Sequence, residues 1–194
     1  MQDKKIAVFA SGNGSNFEAI AAACSEGRIQ ARVVLLVCDR PGAYVLERAL
    51  RYGIDTFVFN PKDYPSKASY EKEIADRLDA EGVDLVCLAG YMRIISPGLL
   101  DRYGGRIVNI HPSLLPAFKG AHAIKDAFDS GARVYGVTIH MVDDTLDGGE
   151  IISQRAFHYE GGNMAEVEEK VHALEHELYV DTINEVLKFK DLRI

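Results

Sequence analysis

No stretch of the 194 residues approaches the ~18 consecutive apolar residues that cross a bilayer as a helix. The longest apolar runs, such as Val33 to Cys38, are of strand length. Met1 to Lys5 is polar and leads into a short apolar strand without a small-residue cleavage motif, so neither secretion nor membrane insertion is expected. Basic clusters are missing as well. The 22 Lys+Arg stand against 29 Asp+Glu, a formal charge of −7, and a protein that coats phosphate backbones needs a basic face. Cysteine is scarce and odd in number: Cys24, Cys38 and Cys87 each fall inside an apolar pattern and read as reduced thiols of a cytoplasmic protein. Repeats, low-complexity segments and linkers are absent from the sequence. What is there is an ordinary globular composition, 47% hydrophobic and 26% charged, long enough for one domain with its own core and no disulfide or metal staple.

Short apolar runs alternate with amphipathic segments. Strands are predicted at Lys5–Ala10, Val33–Cys38, Thr56–Phe59, Val83–Ala89 and Arg106–Ile110, with helices at Phe17–Glu26, Tyr44–Tyr52, Ser69–Glu81 and Gly98–Tyr103. Ser96 and Pro97 read as the cap and first turn of the last of these. This order predicts an α/β protein with an open, twisted, mostly parallel sheet and helices on both faces. After about Arg133 the pattern changes to two strands, Val134–Val142 and Glu150–Tyr159, expected as an antiparallel pair at one edge. Asn163 and Glu166 form a capping-box pattern opening a long C-terminal helix from Met164 to about Phe189. Ligands of such sheets bind beyond the carboxyl ends of the strands, which directs attention to the segments after Ala10, Phe59, Ala89 and Ile110.

Four features there carry chemistry. Ser11 to Asn16, SGNGSN, joins the first strand to the first helix, and its glycines allow a tight turn that offers N–H groups to an anion at the helix start. An isolated Gly-x-Gly equally serves a plain turn. Phe17 stands where a dinucleotide fingerprint needs a third glycine, although Asp39 ends the second strand like a ribose-binding acid, and no Lys-Ser/Thr of a Walker loop follows. A phosphomonoester suits the loop best. Asn109 and His111 lie two apart on a strand and so share a face, an amide donor for an oxyanion beside an acid/base group; both residues can also merely satisfy backbone at a loop start. Asp143 to Gly149 places three carboxylates in one loop, read either as a solvated acidic turn or weak cation site, or as one acid facing the cleft and keeping His111 protonated. His172, Glu175 and His176 match His-x-x-Glu-His on the terminal helix, but without a further ligand an amphipathic surface helix explains them better than zinc.

The motifs FASGNGSNFEAI, LAGYMRIIS, NIHPSLLPAF, GVTIHMVDD and LDGGEII, in this order from Lys5 to about Lys188, resemble those of the phosphoribosylglycinamide formyltransferases. NIHPSLLP alone marks the wider formyltransferase superfamily. The resemblance implies a Rossmann-like formyltransferase fold as one domain over 1–194, with a nucleotide half to about residue 100 and a catalytic and folate half beyond. It implies formyl transfer from 10-formyltetrahydrofolate to glycinamide ribonucleotide in purine biosynthesis, in the cytoplasm, without metal, nucleic acid or membrane, and is compatible with a homodimer. Asn109, His111 and Asp147 match the catalytic trio. Gly14, Ser15, Asn16, Lys67 and Glu175 match nucleotide-binding positions, with Lys67 where relatives carry an arginine. Met92, Arg93, Ile94, Ile95 and Asp143, Asp144, Thr145, Leu146 match the two sides of the folate pocket. Lys119 to His122 departs from a Pro-Gly-containing version in relatives.

Three rivals are open to the sequence. A formyltetrahydrofolate hydrolase shares the trio, but such hydrolases carry an additional N-terminal domain and lack SGNGSN. Phe17 speaks against a dehydrogenase. A phosphate-ligand sensor leaves the trio unexplained.

Overall fold

In a computed structural model of the chain, which describes residues 4–189, alternate residues of the first strand part to opposite sides. β1 (Lys4–Phe9) sends Ile6 and Val8 into one apolar cluster and Ala7 and Phe9 into another. β2 (Ala31–Cys38) divides Leu36 and Cys38 from Leu35 and Val37 in the same way. Side chains alternate along a strand, so a sheet buried on both faces must be apolar at every position, and that is why these strands read as unbroken hydrophobic runs. One face is covered by α1 (Ser15–Ser25), α2 (Val45–Tyr52), α5 (Ala123–Asp129) and α6 (Met164–Phe189). The other is covered by α3 (Lys67–Glu81) and α4 (Pro97–Tyr103).

The remaining strands are β3 (Thr56–Val58), β4 (Leu85–Leu88), β5 (Ile107–His111), β6 (Val134–Met141) and β7 (Ile151–His158). The described residues form a seven-stranded sheet in the order β3-β2-β1-β4-β5-β6-β7. Pairings are parallel from β3 to β5 and antiparallel for β5–β6 and β6–β7, the expected edge pair included. The chain runs outward from β1 through β2 to β3, then returns to lay β4 on the opposite side. This reversal opens a crevice between the carboxyl ends of β1 and β4, where a ligand meets the fewest crossing connections. Tyr179 of α6 ties that region from behind: its fully buried hydroxyl lies 2.9 Å from the Leu88 carbonyl and 3.1 Å from that of Val108.

Several local expectations change. α1 begins at Ser15, two residues earlier than its apolar spacing shows, because Gly14 starts it from a left-handed conformation without a side-chain cap. Ser96 precedes α4 but does not cap it with its side chain; its hydroxyl donates instead to the buried carboxylate of Glu71. At α6 the Asn163 side chain accepts from Ala165 N at 3.0 Å, while the Asn163 N–H goes to the Tyr159 hydroxyl rather than to Glu166. Glu166 accepts from that hydroxyl and from the Asn163 amide, so a tyrosine is inserted into the expected box. Helix α5 was not expected from the sequence. It is seven residues long, lacks a side-chain cap and buries little more than Ala123 and Ala127.

Candidate active site

The crevice is a cavity of about 580 Å³ whose walls come from the loops after β1, β2, β4 and β5 and from the β6–β7 loop and α6. At one end lies the SGNGSN loop. Gly14 has φ +77°, and a Cβ there would lie 2.6 Å from that of Val45, so glycine is required both by the backbone and by the approach of α2. Arg48 of α2 holds the loop from outside, donating from Nε to the Asn13 carbonyl at 2.9 Å and from Nη2 to its Oδ1 at 2.8 Å. Its other terminal nitrogen pairs with Glu18. Loop N–H groups at the start of α1 are thereby fixed in a field that favours an anion.

Glu175 comes to this end from α6. Its buried carboxylate accepts from Asn16 Nδ2 at 3.3 Å and from His172 Nδ1 at 2.8 Å. That bond raises the His172 pKa, whereas burial lowers that of His176 on the next turn. Asn16 Oδ1 is buried with no hydrogen-bond partner among the described residues, leaving one acceptor of the amide unused beside the cavity. Among the described residues no group of three or more His, Cys, Asp or Glu is arranged to hold a metal ion.

Asn109 and His111 leave β5 at the cavity floor. Asn109 faces His140 across the antiparallel register of β5 and β6, and its Nδ2 donates to His140 Nε2 at 3.1 Å. His140 Nδ1 in turn donates to the Met141 carbonyl at 2.8 Å, so the partners select the neutral Nδ1–H tautomer. Burial lowers the His140 pKa in the same direction. An amide nitrogen carries two hydrogens, and only one is engaged by His140. His111 Nε2 lies 2.8 Å from the Phe118 carbonyl, which only accepts, so this nitrogen carries a hydrogen. The other ring nitrogen, Nδ1, lies 3.6 Å from Asp147 Oδ2.

Asp147 reaches that position from the β6–β7 loop with a left-handed backbone, φ +46°, and accepts from Gly120 N at 2.8 Å. Lys119 Nζ donates to the Leu146 carbonyl at 3.3 Å, so the segment after β5 and the acidic loop are latched together at two points. Asp143 shapes the loop's start: its Oδ1 accepts from the Thr145 N–H and hydroxyl, which holds its own carboxyl below the usual range. Opposite, Met92 to Ile95 supply an apolar wall, with Met92, Ile94 and the facing Leu146 each more than half exposed at the rim.

Gly14, Ser15, Asn16, Met92, Arg93, Ile94, Ile95, Asn109, His111, Asp143, Thr145, Leu146, Asp147 and Glu175 thus line one cavity. Lys67 and Asp144 do not line it. Lys67 opens α3 and pairs with Glu71 at 3.8 Å, and Asp144 is exposed in its loop. Sequence reasoning missed Arg48 and His140. Arg48 carries no spacing signal, being 35 residues from the loop it grips, whereas His140 stood in the GVTIHMVDD motif without an assigned partner.

Comparison with known proteins agrees with this geometry. The formyl transferase family model matches residues 4–183. The phosphoribosylglycinamide formyltransferase of Bacillus subtilis is 49% identical over 185 residues, 95% of each chain, and that of Escherichia coli is 38% identical over 175 residues, 90% of this chain and 82% of the other. The crystal structure of glycinamide ribonucleotide transformylase 1 from Geobacillus kaustophilus superposes with a TM-score of 0.93 at 52% identity, covering 96% of this chain and all of that one. With the match extending through every strand that builds the cavity, the chain belongs to the formyl transferase family, among its phosphoribosylglycinamide formyltransferases.

Proposed function

We infer that the chain transfers the formyl group of 10-formyltetrahydrofolate to the amine of glycinamide ribonucleotide, releasing tetrahydrofolate, in de novo purine biosynthesis. The observation that carries this reading is the meeting of an amide N–H of Asn109, the His111 ring and the Asp147 carboxylate between an anion-binding loop and an apolar wall. A phosphorylated nucleotide suits the first end and a pterin ring the second. The assigned binding groups are Gly14, Ser15, Asn16 and Glu175, with Lys67 at the margin, for the nucleotide. Met92 to Ile95 and Asp143 to Leu146 serve the folate.

In the proposed step the uncharged amine attacks the formyl carbon, and the carbonyl oxygen becomes an oxyanion. The free Asn109 N–H donates to it, a donor of a type that contributes about 10²–10³ in rate, and the charge of the protonated His111 ring, whose nitrogens face Phe118 and Asp147, supports it. Asp147 is the counter-ion of the charged ring and orders the water that carries a proton from the attacking nitrogen to the folate nitrogen as the carbon–nitrogen bond breaks. The remaining acceleration comes from holding two substrates in line. Neutral His140 is well suited to hold Asn109, because a protonated ring would offer the amide no acceptor.

The reading treats residues 1–194 as one domain. Its two halves are interleaved at the site, since Glu175 reaches the nucleotide end and Met92 to Ile95 the folate end. Both substrates are small molecules and the proposed compartment is the cytoplasm; among the described residues no helix is long and apolar enough to cross a membrane. Sedimentation velocity distinguishes a homodimer from the 21.4 kDa chain. The activity is tested by following folate release from 10-formyltetrahydrofolate with and without glycinamide ribonucleotide. Release that requires the nucleotide is the expected result. Release without it would instead assign the hydrolase, and none at all a binding role.

A further inference from the structure

Asp39 directly follows β2 with its side chain completely buried, and it does not line the cavity. Its two oxygens are both occupied. Oδ1 accepts from the Ser11 hydroxyl at 2.5 Å and Oδ2 from Arg93 Nε at 2.8 Å. This excludes the ribose-binding use that the end of β2 suggests in dinucleotide folds, since no lone carboxylate faces a ligand. The same Ser11 hydroxyl accepts from Met92 N at 2.9 Å, and Ser11 N donates to the Gly90 carbonyl at 3.1 Å. Three bonds therefore run from the ends of β1 and β2 to the segment 90–93, and a fourth ties Ser11 to Asp39. That segment, loop for its whole length, has no ladder of its own to hold it.

We propose that Asp39 is a positioning residue that, through Arg93 and Ser11, sets the folate-side wall of the cleft. This rests on the transferase reading for the identity of the folate. Arg93 is 42% exposed on its side chain and lines the cavity, so fixing its Nε leaves the two terminal nitrogens of a planar fork turned to the solvent side of the pair. A guanidinium held at one edge is pre-organised for a carbonyl or carboxylate acceptor, and less rotamer freedom remains to be lost on binding. A carboxylate serves here because it accepts from Ser11 and Arg93 at once. An amide at position 39 has one acceptor oxygen, so it can accept from Ser11 or from Arg93 but not from both, and it carries no charge for the guanidinium.

The test combines steady-state kinetics with titration of tetrahydrofolate into the purified protein. Asp39→Asn should weaken tetrahydrofolate binding and raise the KM for 10-formyltetrahydrofolate by about ten- to a hundredfold, the range of a lost hydrogen bond to a charged group. The KM for glycinamide ribonucleotide should stay within about twofold. In an Arg93→Ala background the same substitution should add less than about threefold, because the partner through which it acts is gone. Equal loss for both substrates with a lowered Tm, or an undiminished effect in the Arg93→Ala background, would overturn the proposal. If Asp39→Asn does not fold, Ser11→Ala must raise the same folate KM, and an unchanged value overturns it. Absence of nucleotide-dependent folate release by the unsubstituted protein would instead defeat the transferase reading, while the tetrahydrofolate titrations still decide the role of Asp39.

Discussion

Gly149 provides a way to move Asp147 without altering it. A Cβ at position 149 would overlap the Met141 carbonyl oxygen and lie 2.8 Å from its carbon, where ordinary contact begins at 3.4 Å. The shortfall is about 0.6 Å at the carbon and larger at the oxygen. Met141 belongs to β6, whose N–H bonds to the Glu150 carbonyl at 2.8 Å, so the sheet side is the stiffer of the two and the loop must give. Asp147 sits two residues away and would be displaced from His111 by a comparable amount. A misplacement of ~1 Å in a catalytic constellation costs about 10²-fold in rate. Gly149→Ala should therefore lower kcat about a hundredfold at saturating substrates, in the nucleotide-dependent folate release assay. The overpacking itself costs about 1–3 kcal/mol, which at about 2–4 °C per kcal/mol for a chain of this size lowers Tm by roughly 2–12 °C and leaves the protein folded at 25 °C. Gly162, whose added Cβ would meet nothing within 4 Å, is the control. A Gly149→Ala protein with kcat within about threefold of the original would refute the reasoning, since a rate requirement for Asp147 where it stands predicts far more.

Three further outcomes are expected. His111→Ala should lower kcat by about 10²–10⁴ while nucleotide affinity by calorimetry stays nearly unchanged; parallel loss of both would contradict its assigned role. Tyr179→Phe removes a buried hydroxyl from two strand carbonyls and should cost about 1–3 kcal/mol in urea unfolding, with the fold retained. The histidines oppose one another with pH. His172, raised above 6.5 by Glu175, contributes stability that is full below 6.5 and is lost as pH rises through its folded value. His140, lowered by burial, contributes stability that is present above 6.5 and is lost as pH falls through its folded value. His172→Gln should accordingly remove the gain in urea stability that accompanies a fall in pH from the folded value of His172 to 6.5 and leave the slope below 6.5 unaltered, and an unchanged slope above 6.5 would show that its pair with Glu175 is not coupled to folding.

The corrections to the secondary structure share a cause. Hydrophobic period and turn residues located the strands, the central ones most plainly, because strands buried on both faces need apolar residues throughout and that requirement is visible locally. Helix α5 escaped since seven residues with two buried alanines make no periodic signal. The cap at α4 was misjudged because Glu71, 25 residues away, takes the Ser96 hydroxyl, and the box at α6 because the Tyr159 hydroxyl, four residues before Asn163, takes the backbone N–H that the box assigns to Glu166.

At the site, the chemistry present is legible along the chain: a glycine loop before a helix, an amide and an imidazole two apart on a strand, and a tight acidic loop. These are local properties, set by backbone period and residue type. Which groups meet is settled by the packing of the folded chain. The strand order brings β1 beside β4 and β5 beside β6, and so sets Asn109 against His140 and lays segment 90–93 on Ser11 and Asp39. The left-handed turn at Asp147 selects that carboxylate, rather than Asp143 or Asp144, to stand beside His111. Such choices depend on contacts between residues tens of positions apart, whose partners are selected by packing and not by spacing.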